Sequence, residues 1–118
     1  MAANPLPPPT LTLVTEKMPT EATVRCSGKI TMENADQLRD TARKLISESK
    51  RLVLDFSDVS YLDSSGLGMI VGVYISAKKA RCQLKVINLN PRVKEIFTLT
   101  RLEDALAGRE EYLGATPD

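Results

Sequence analysis

The residues of this chain best placed to do chemistry stand together at Asp63, Ser64 and Ser65. A serine hydroxyl beside a carboxylate invites three readings: a hydrolytic nucleophile, a phosphoacceptor, or a helix cap. The chain contains no histidine, which removes the Ser-His-Asp and Cys-His arrangements together with the commonest general base. A hydrolase would have to use a lysine or a carboxylate as base, and no oxyanion-hole or metal signature accompanies the serines. Gly66 and Gly68 follow, but no Gly-Lys-Ser/Thr element does, so the stretch is not a nucleotide-binding phosphate loop. Cys26 and Cys82 lie in strand-like runs; two isolated thiols without imidazoles make no ordinary zinc site, and they read as small reduced core residues. These residue types predict no enzyme, no metal site and no cofactor. They leave a hydroxyl that caps a helix or accepts a phosphoryl group.

Either role depends on the elements around it. Upstream, the run from Arg51 to Phe56 is short and apolar, as in a strand buried on both faces. Downstream, Leu67, Ile70, Val71, Tyr74 and Ile75 recur at the spacing of one helical stripe. They predict a helix over residues 65–80 with its inward face centred on Leu67 and Tyr74. The cations Lys78, Lys79 and Arg81 suit its C-terminus. The stretch 61–68 is then a loop turning into that helix, with Ser64 or Ser65 as the natural N-cap. On this phase Met69 and Val73 point outward and Gly68 and Gly72 lie on a flank, so a small apolar patch suited to a partner is expected just beyond Ser64. A phosphate on Ser64 would meet unpaired N–H groups and the positive end of the helix dipole, which the fold should tolerate. The added charge of about −1.5 to −2 would disrupt an interface docked there.

The rest of the chain supplies a sheet. Residues 1–9 hold four prolines and predict a flexible leader, ahead of a domain over 10–107 and a polar tail over 108–118. Residues 10–15 alternate Leu11 and Leu13 with threonines, and Ala22, Val24 and Cys26 alternate with Thr23, Arg25 and Ser27 beyond a Met18-Pro19-Thr20 turn. This is a hairpin, which Gly28 is expected to end. Asn34 and Gln37 suggest a capping box for a helix with Ala35, Leu38, Ala42, Leu45 and Ile46 on its inner face. Leu84, Val86 and Ile87 form another buried strand. Asn90-Pro91 opens a short helix with Val93, Ile96 and Phe97 inward, and a last helical turn is expected at 102–106. The order predicts an α/β fold: a mixed sheet of four to five strands with helices mainly covering one face.

Composition narrows the function. A chain of 118 residues makes one domain. A net charge of +1 provides no field to attract nucleic acid or an anionic membrane. No apolar run approaches the roughly twenty residues of a membrane span, and the N-terminus lacks the basic and apolar regions of a signal peptide. The expectation is a cytoplasmic protein that binds neither nucleic acid nor membrane.

The pattern from Asp63 to Gly68, Asp-Ser-Ser-Gly-Leu-Gly, together with Asn90-Pro91 and the spaced Val93, Ile96 and Phe97, resembles the STAS domain of bacterial anti-sigma factor antagonists. The resemblance spans about residues 10–107, the size of a single domain. It implies the STAS fold, with Ser64 as phosphoacceptor and Ser65 as runner-up. It further implies an anti-sigma factor serine kinase as partner, a PP2C-type phosphatase that reverses the modification, and release of a sigma factor when unphosphorylated protein traps the kinase. The expected partner-binding residues are Asp63, Ser64, Ser65, Gly66, Leu67, Gly68, Met69 and Val73. The alternative is a stand-alone STAS subunit docked constitutively on another assembly, such as a lipid-transport ABC complex. One departure stands out. The family carries a Gly-Glu-x-Asp turn after the second strand, whereas here Gly28 is followed by Lys29, Ile30 and Thr31.

Overall fold

A computed structural model describes residues 10–99. The leader at 1–9, the helical turn expected at 102–106 and the tail at 108–118 lie outside the described residues. Strands β1 (Leu11–Lys17) and β2 (Glu21–Ile30) form the antiparallel hairpin that the alternation predicts. Helix α1 (Ala35–Ile46) then crosses to β3 (Arg51–Leu62), and α2 (Ser64–Lys79) crosses to β4 (Gln83–Ile87), before α3 (Pro91–Leu99). The sheet has four strands in the order β1-β2-β3-β4, with β2, β3 and β4 parallel. Right-handed crossovers that step the same way across a sheet put their helices on one face, and α1 and α2 pack against each other there. The core lies between them. Val24 and Cys26 of β2, Leu54 and Phe56 of β3, Val86 of β4, Leu38 and Ala42 of α1, and Ile70 and Val73 of α2 are all completely buried.

Helix α1 buries Ala35, Leu38, Ala42, Leu45 and Ile46, the face its periodicity marks. Its start differs from the expected capping box. The Asn34 side chain makes no cap bond to the helix. It accepts from Thr31 N–H at 2.9 Å and donates to Thr10 Oγ1 at 2.7 Å and to the Lys29 carbonyl at 2.9 Å. Asn34 therefore ties Thr10, just ahead of β1, to the β2–α1 turn. At α3 the expected cap is present: Val93 N–H donates to Asn90 Oδ1 at 2.8 Å, a bond worth about 1 kcal/mol to the helix.

Strand β3 is twice the length of the apolar run 51–56, because two bulges carry it onward. Between Arg25 and Ser27 of β2 the partners on β3 step from Asp55 to Asp58, and between Gly28 and Lys29 they step from Val59 to Tyr61. Each step leaves one extra residue on β3. Its buried residues consequently fall at Phe56, Val59 and Leu62, every third position, which alternation cannot detect. Strand β2 likewise runs through Gly28, which adopts φ +114° inside the strand and does not end it.

Both cysteines are buried free thiols. Burial, helped by the nearby Asp55 charge, pushes the Cys26 thiol up to about 12, and burial also raises Cys82. Thiolate is the reactive form, so neither should react in the folded protein. Titration with Ellman's reagent at pH 8 should detect less than about a tenth of one equivalent in native buffer within minutes, and both thiols in denaturant. Rapid native labelling would show that the strands open locally.

Candidate functional site

Asp63 is the single residue between β3 and α2. It has extended backbone geometry, and its side chain accepts from Gly66 N–H at 3.0 Å. Asp63, and not Ser64 or Ser65, is thus the N-cap, and Ser64 is the first helical residue. The reason lies in β3: with two extra residues the strand reaches Leu62, so the extended position from which a side chain can cap falls one residue before the serines. The Gly66 N–H holds the Asp63 carboxyl below the usual carboxylate range, with the Met32 and Ser65 N–H groups acting in the same direction. Capping by Asp63 leaves the serine hydroxyls without that structural duty. Ser64 is exposed, Ser65 half-buried, and among the described residues the Ser64 hydroxyl makes no hydrogen bond.

The phase of α2 is turned by about 100° from the expected one: Ile70 is buried as expected, but the inward face centres on Gly66 and Val73 instead of Leu67 and Tyr74. Gly66, Met69, Ile70, Val73 and Ala77 face inward; Met69 is 8% exposed and Val73 is wholly buried. The outward patch of Met69 and Val73 does not exist, and Gly66 is also lost from the expected surface. Leu67, Val71 and Tyr74 are half-buried, packed at the edge of the core, while Ile75 is 48% exposed. Gly66 sets this phase. A Cβ there would lie 2.5 Å from Leu62 Cδ1 and 3.1 Å from Ile30 Cγ2, so this position packs directly onto the ends of β2 and β3. The exposed residues of α2 are therefore Ser64, Gly68, Ile75, Lys78 and Lys79, with Val71 and Gly72 half-buried beside them. At Gly68 and Gly72 an added Cβ would meet nothing within 4 Å.

Of the expected site residues the structure brings Asp63, Ser64, Ser65, Leu67 and Gly68 to one end of α2, at or near the surface, and buries Gly66, Met69 and Val73. Sequence reasoning placed Ile75 on the inward face, where the structure exposes it, and passed over Met32 altogether. Met32 lies in the β2–α1 turn and is 76% exposed. The departure noted in that turn also resolves into separate roles, since Ile30 is wholly buried, Lys29 is exposed opposite Tyr61, and Thr31 anchors the turn. Among the described residues no group of histidine, cysteine, aspartate or glutamate side chains could hold a metal ion. Among them too, no helix is long and apolar enough to cross a membrane.

A four-stranded mixed sheet with a capped, serine-bearing helix start defines a class of small α/β modules. The STAS domain model matches residues 12–112, most of the chain, and the chain belongs to that family. It is 36% identical over 83 residues to the anti-sigma-B factor antagonist of Bacillus subtilis, covering 70% of this chain and 76% of that protein. It is 30% identical over 81 residues to the anti-sigma-B factor antagonist of Listeria monocytogenes, covering 68% and 71%. Among solved structures, an anti-sigma factor antagonist from Mycobacterium paratuberculosis superposes with a TM-score of 0.75 at 25% identity, over 90% of this chain and 86% of that one. The anti-sigma factor antagonist SpoIIAA in its unphosphorylated form superposes with a TM-score of 0.72 at 19% identity, over 89% of both chains, a likeness of fold.

Proposed function

We propose that this chain is an anti-sigma factor antagonist whose binding state is set by phosphorylation of Ser64. Unphosphorylated, it docks an anti-sigma factor serine kinase through the Ser64 end and outer face of α2 and so releases the sigma factor. A PP2C-type phosphatase restores that form. The single observation that carries this reading is the division of labour at the helix start: Asp63 caps α2, so Ser64 is exposed with its hydroxyl unengaged. Its position at a helix N-terminus offers a phosphate a favourable dipole, so the host fold accepts the modification. A partner seated over Ser64 does not, because the dianion must be desolvated against it. The relatives named anti-sigma-B factor antagonists support the partner class. Ser65 remains the second candidate acceptor, half-buried behind Ser64.

The test incubates the purified chain with ATP and the cell's anti-sigma factor kinases, and maps the product by peptide mass spectrometry. One phosphate on Ser64 is expected. Ser64→Asp should bind the kinase about tenfold more weakly than the parent, and Ser64→Ala should bind as well as the parent. Phosphate found elsewhere, or a Ser64→Asp variant that binds with full affinity, ends this reading.

A further inference from the structure

The β2–α1 turn is largely self-contained. Thr31 N–H donates to Asn34 Oδ1 at 2.9 Å, and Asn34 N–H and Ala35 N–H donate to the Thr31 carbonyl at 3.0 and 2.8 Å. Met32 N–H does not join in. It donates across 31 residues of sequence to Asp63 Oδ2 at 3.0 Å. The other oxygen of that carboxylate holds Gly66 N–H, and Asp63 N–H donates to the Ile30 carbonyl at 3.1 Å. Capping needs only one side-chain oxygen, which serine, threonine or asparagine supplies as well. What aspartate adds at this position is the second acceptor, and its use is to hold the backbone of the most exposed large apolar residue described.

We infer that Asp63 is a positioning residue: its second carboxylate oxygen fixes the Met32 turn to the Ser64 end of α2, so that Met32 and α2 meet a protein partner as one preorganised surface. This rests on the proposed function for the identity of the partner. It gives Asp63 a different part from the direct contact expected of it, and adds Met32 to the recognition surface. An unbranched thioether side chain adapts to an irregular apolar contact. Fixing its backbone beforehand spares the complex the entropy of ordering the turn at docking. The ionised carboxylate makes both bonds charge-assisted, which suits a bridge between segments far apart in sequence.

Asp63→Ser separates the two duties, because a serine hydroxyl can cap Gly66 but has no second oxygen for Met32. Amide hydrogen exchange followed by 15N NMR should show Met32 exchanging at least about tenfold faster in this variant, with Gly66 and the core amides little changed. Unchanged exchange at Met32 overturns the bridge, and so does equal acceleration across α2, which would mark plain loss of the cap. With the purified anti-sigma factor kinase as probe, Asp63→Ser and Met32→Ala should each weaken binding about tenfold, and the double variant should lose no more than the worse single one, because Asp63 acts through Met32. A complex whose affinity neither substitution alters overturns this inference alone. If no kinase binds the parent chain, the proposed function falls and this partner surface falls with it.

Discussion

Gly28→Ala is expected to lower the unfolding free energy by about 3 kcal/mol, the largest loss at any single methyl addition in the described fold. Gly28 has φ +114°, a conformation that side chains rarely adopt. A Cβ built there would run into the Thr10 carbonyl oxygen and lie 3.0 Å from its carbon. Both are backbone atoms, so no side-chain rotation can relieve the clash. The same carbonyl accepts Lys29 N–H at 3.0 Å, and Thr10 Oγ1 accepts from Asn34. Moving Thr10 away therefore loosens the start of β1, the bulged end of β2 and the turn before α1 together. Backbone strain contributes roughly 1–3 kcal/mol and each lost hydrogen bond about 1 kcal/mol. Urea denaturation should show the midpoint falling by about 2 M with an unchanged slope. A shift under about 0.3 M would mean that the edge strand moves aside at little cost.

Gly28 also shows where the sequence is legible and where it is not. The alternation of Ala22, Val24 and Cys26 identifies β2, and the amphipathic spacing of α1 identifies every residue it buries, because in both the apolar face contrasts with a polar one. A glycine after such a run signals a break, yet here it permits a close approach and the strand continues. Strand β3 departs from period two for a related reason. Its bulges space Phe56, Val59 and Leu62 three apart, so polar Ser57, Asp58 and Ser60 look like the end of a strand when they are its exposed residues. The loop expected over 61–68 accordingly shrinks to Asp63.

Helix α2 defeats the periodicity argument differently. Leu67, Val71, Tyr74 and Ile75 on one flank of Ile70 are as apolar as Met69, Val73 and Ala77 on the other, so the pattern has two solutions that share Ile70 and lie about 100° apart. What decides between them is a steric fact absent from any hydropathy pattern, the contact of Gly66 with Leu62 and Ile30. The motif around Ser64 was legible because it rests on residue types at fixed positions. The face presented beyond it was not, because it depends on which of two apolar stripes the sheet accepts.

The same geometry yields the second large expectation. Replacing both Gly68 and Gly72 by alanine should stabilise the free protein by about 2 kcal/mol, since a helix-interior glycine costs about 1 kcal/mol relative to alanine. Nothing opposes the gain, because an added Cβ at either position meets open space. Gly66→Ala is the internal control: there the Cβ would meet Leu62 Cδ1 at 2.5 Å, so packing strain offsets the helical gain. Exposed Gly68 and half-buried Gly72, one turn apart, thus lower the stability of the helix without relieving any internal contact. On the proposed function they let a partner's backbone approach α2 closely beside Ser64. The alanine pair should then weaken kinase binding about tenfold or more while raising the urea midpoint by more than about 1 M. Opposite signs in the two measurements would place the partner at these glycines. A stabilised variant that binds with undiminished affinity would exclude Gly68 and Gly72 from the contact and leave recognition to the Met32 turn and the helix start.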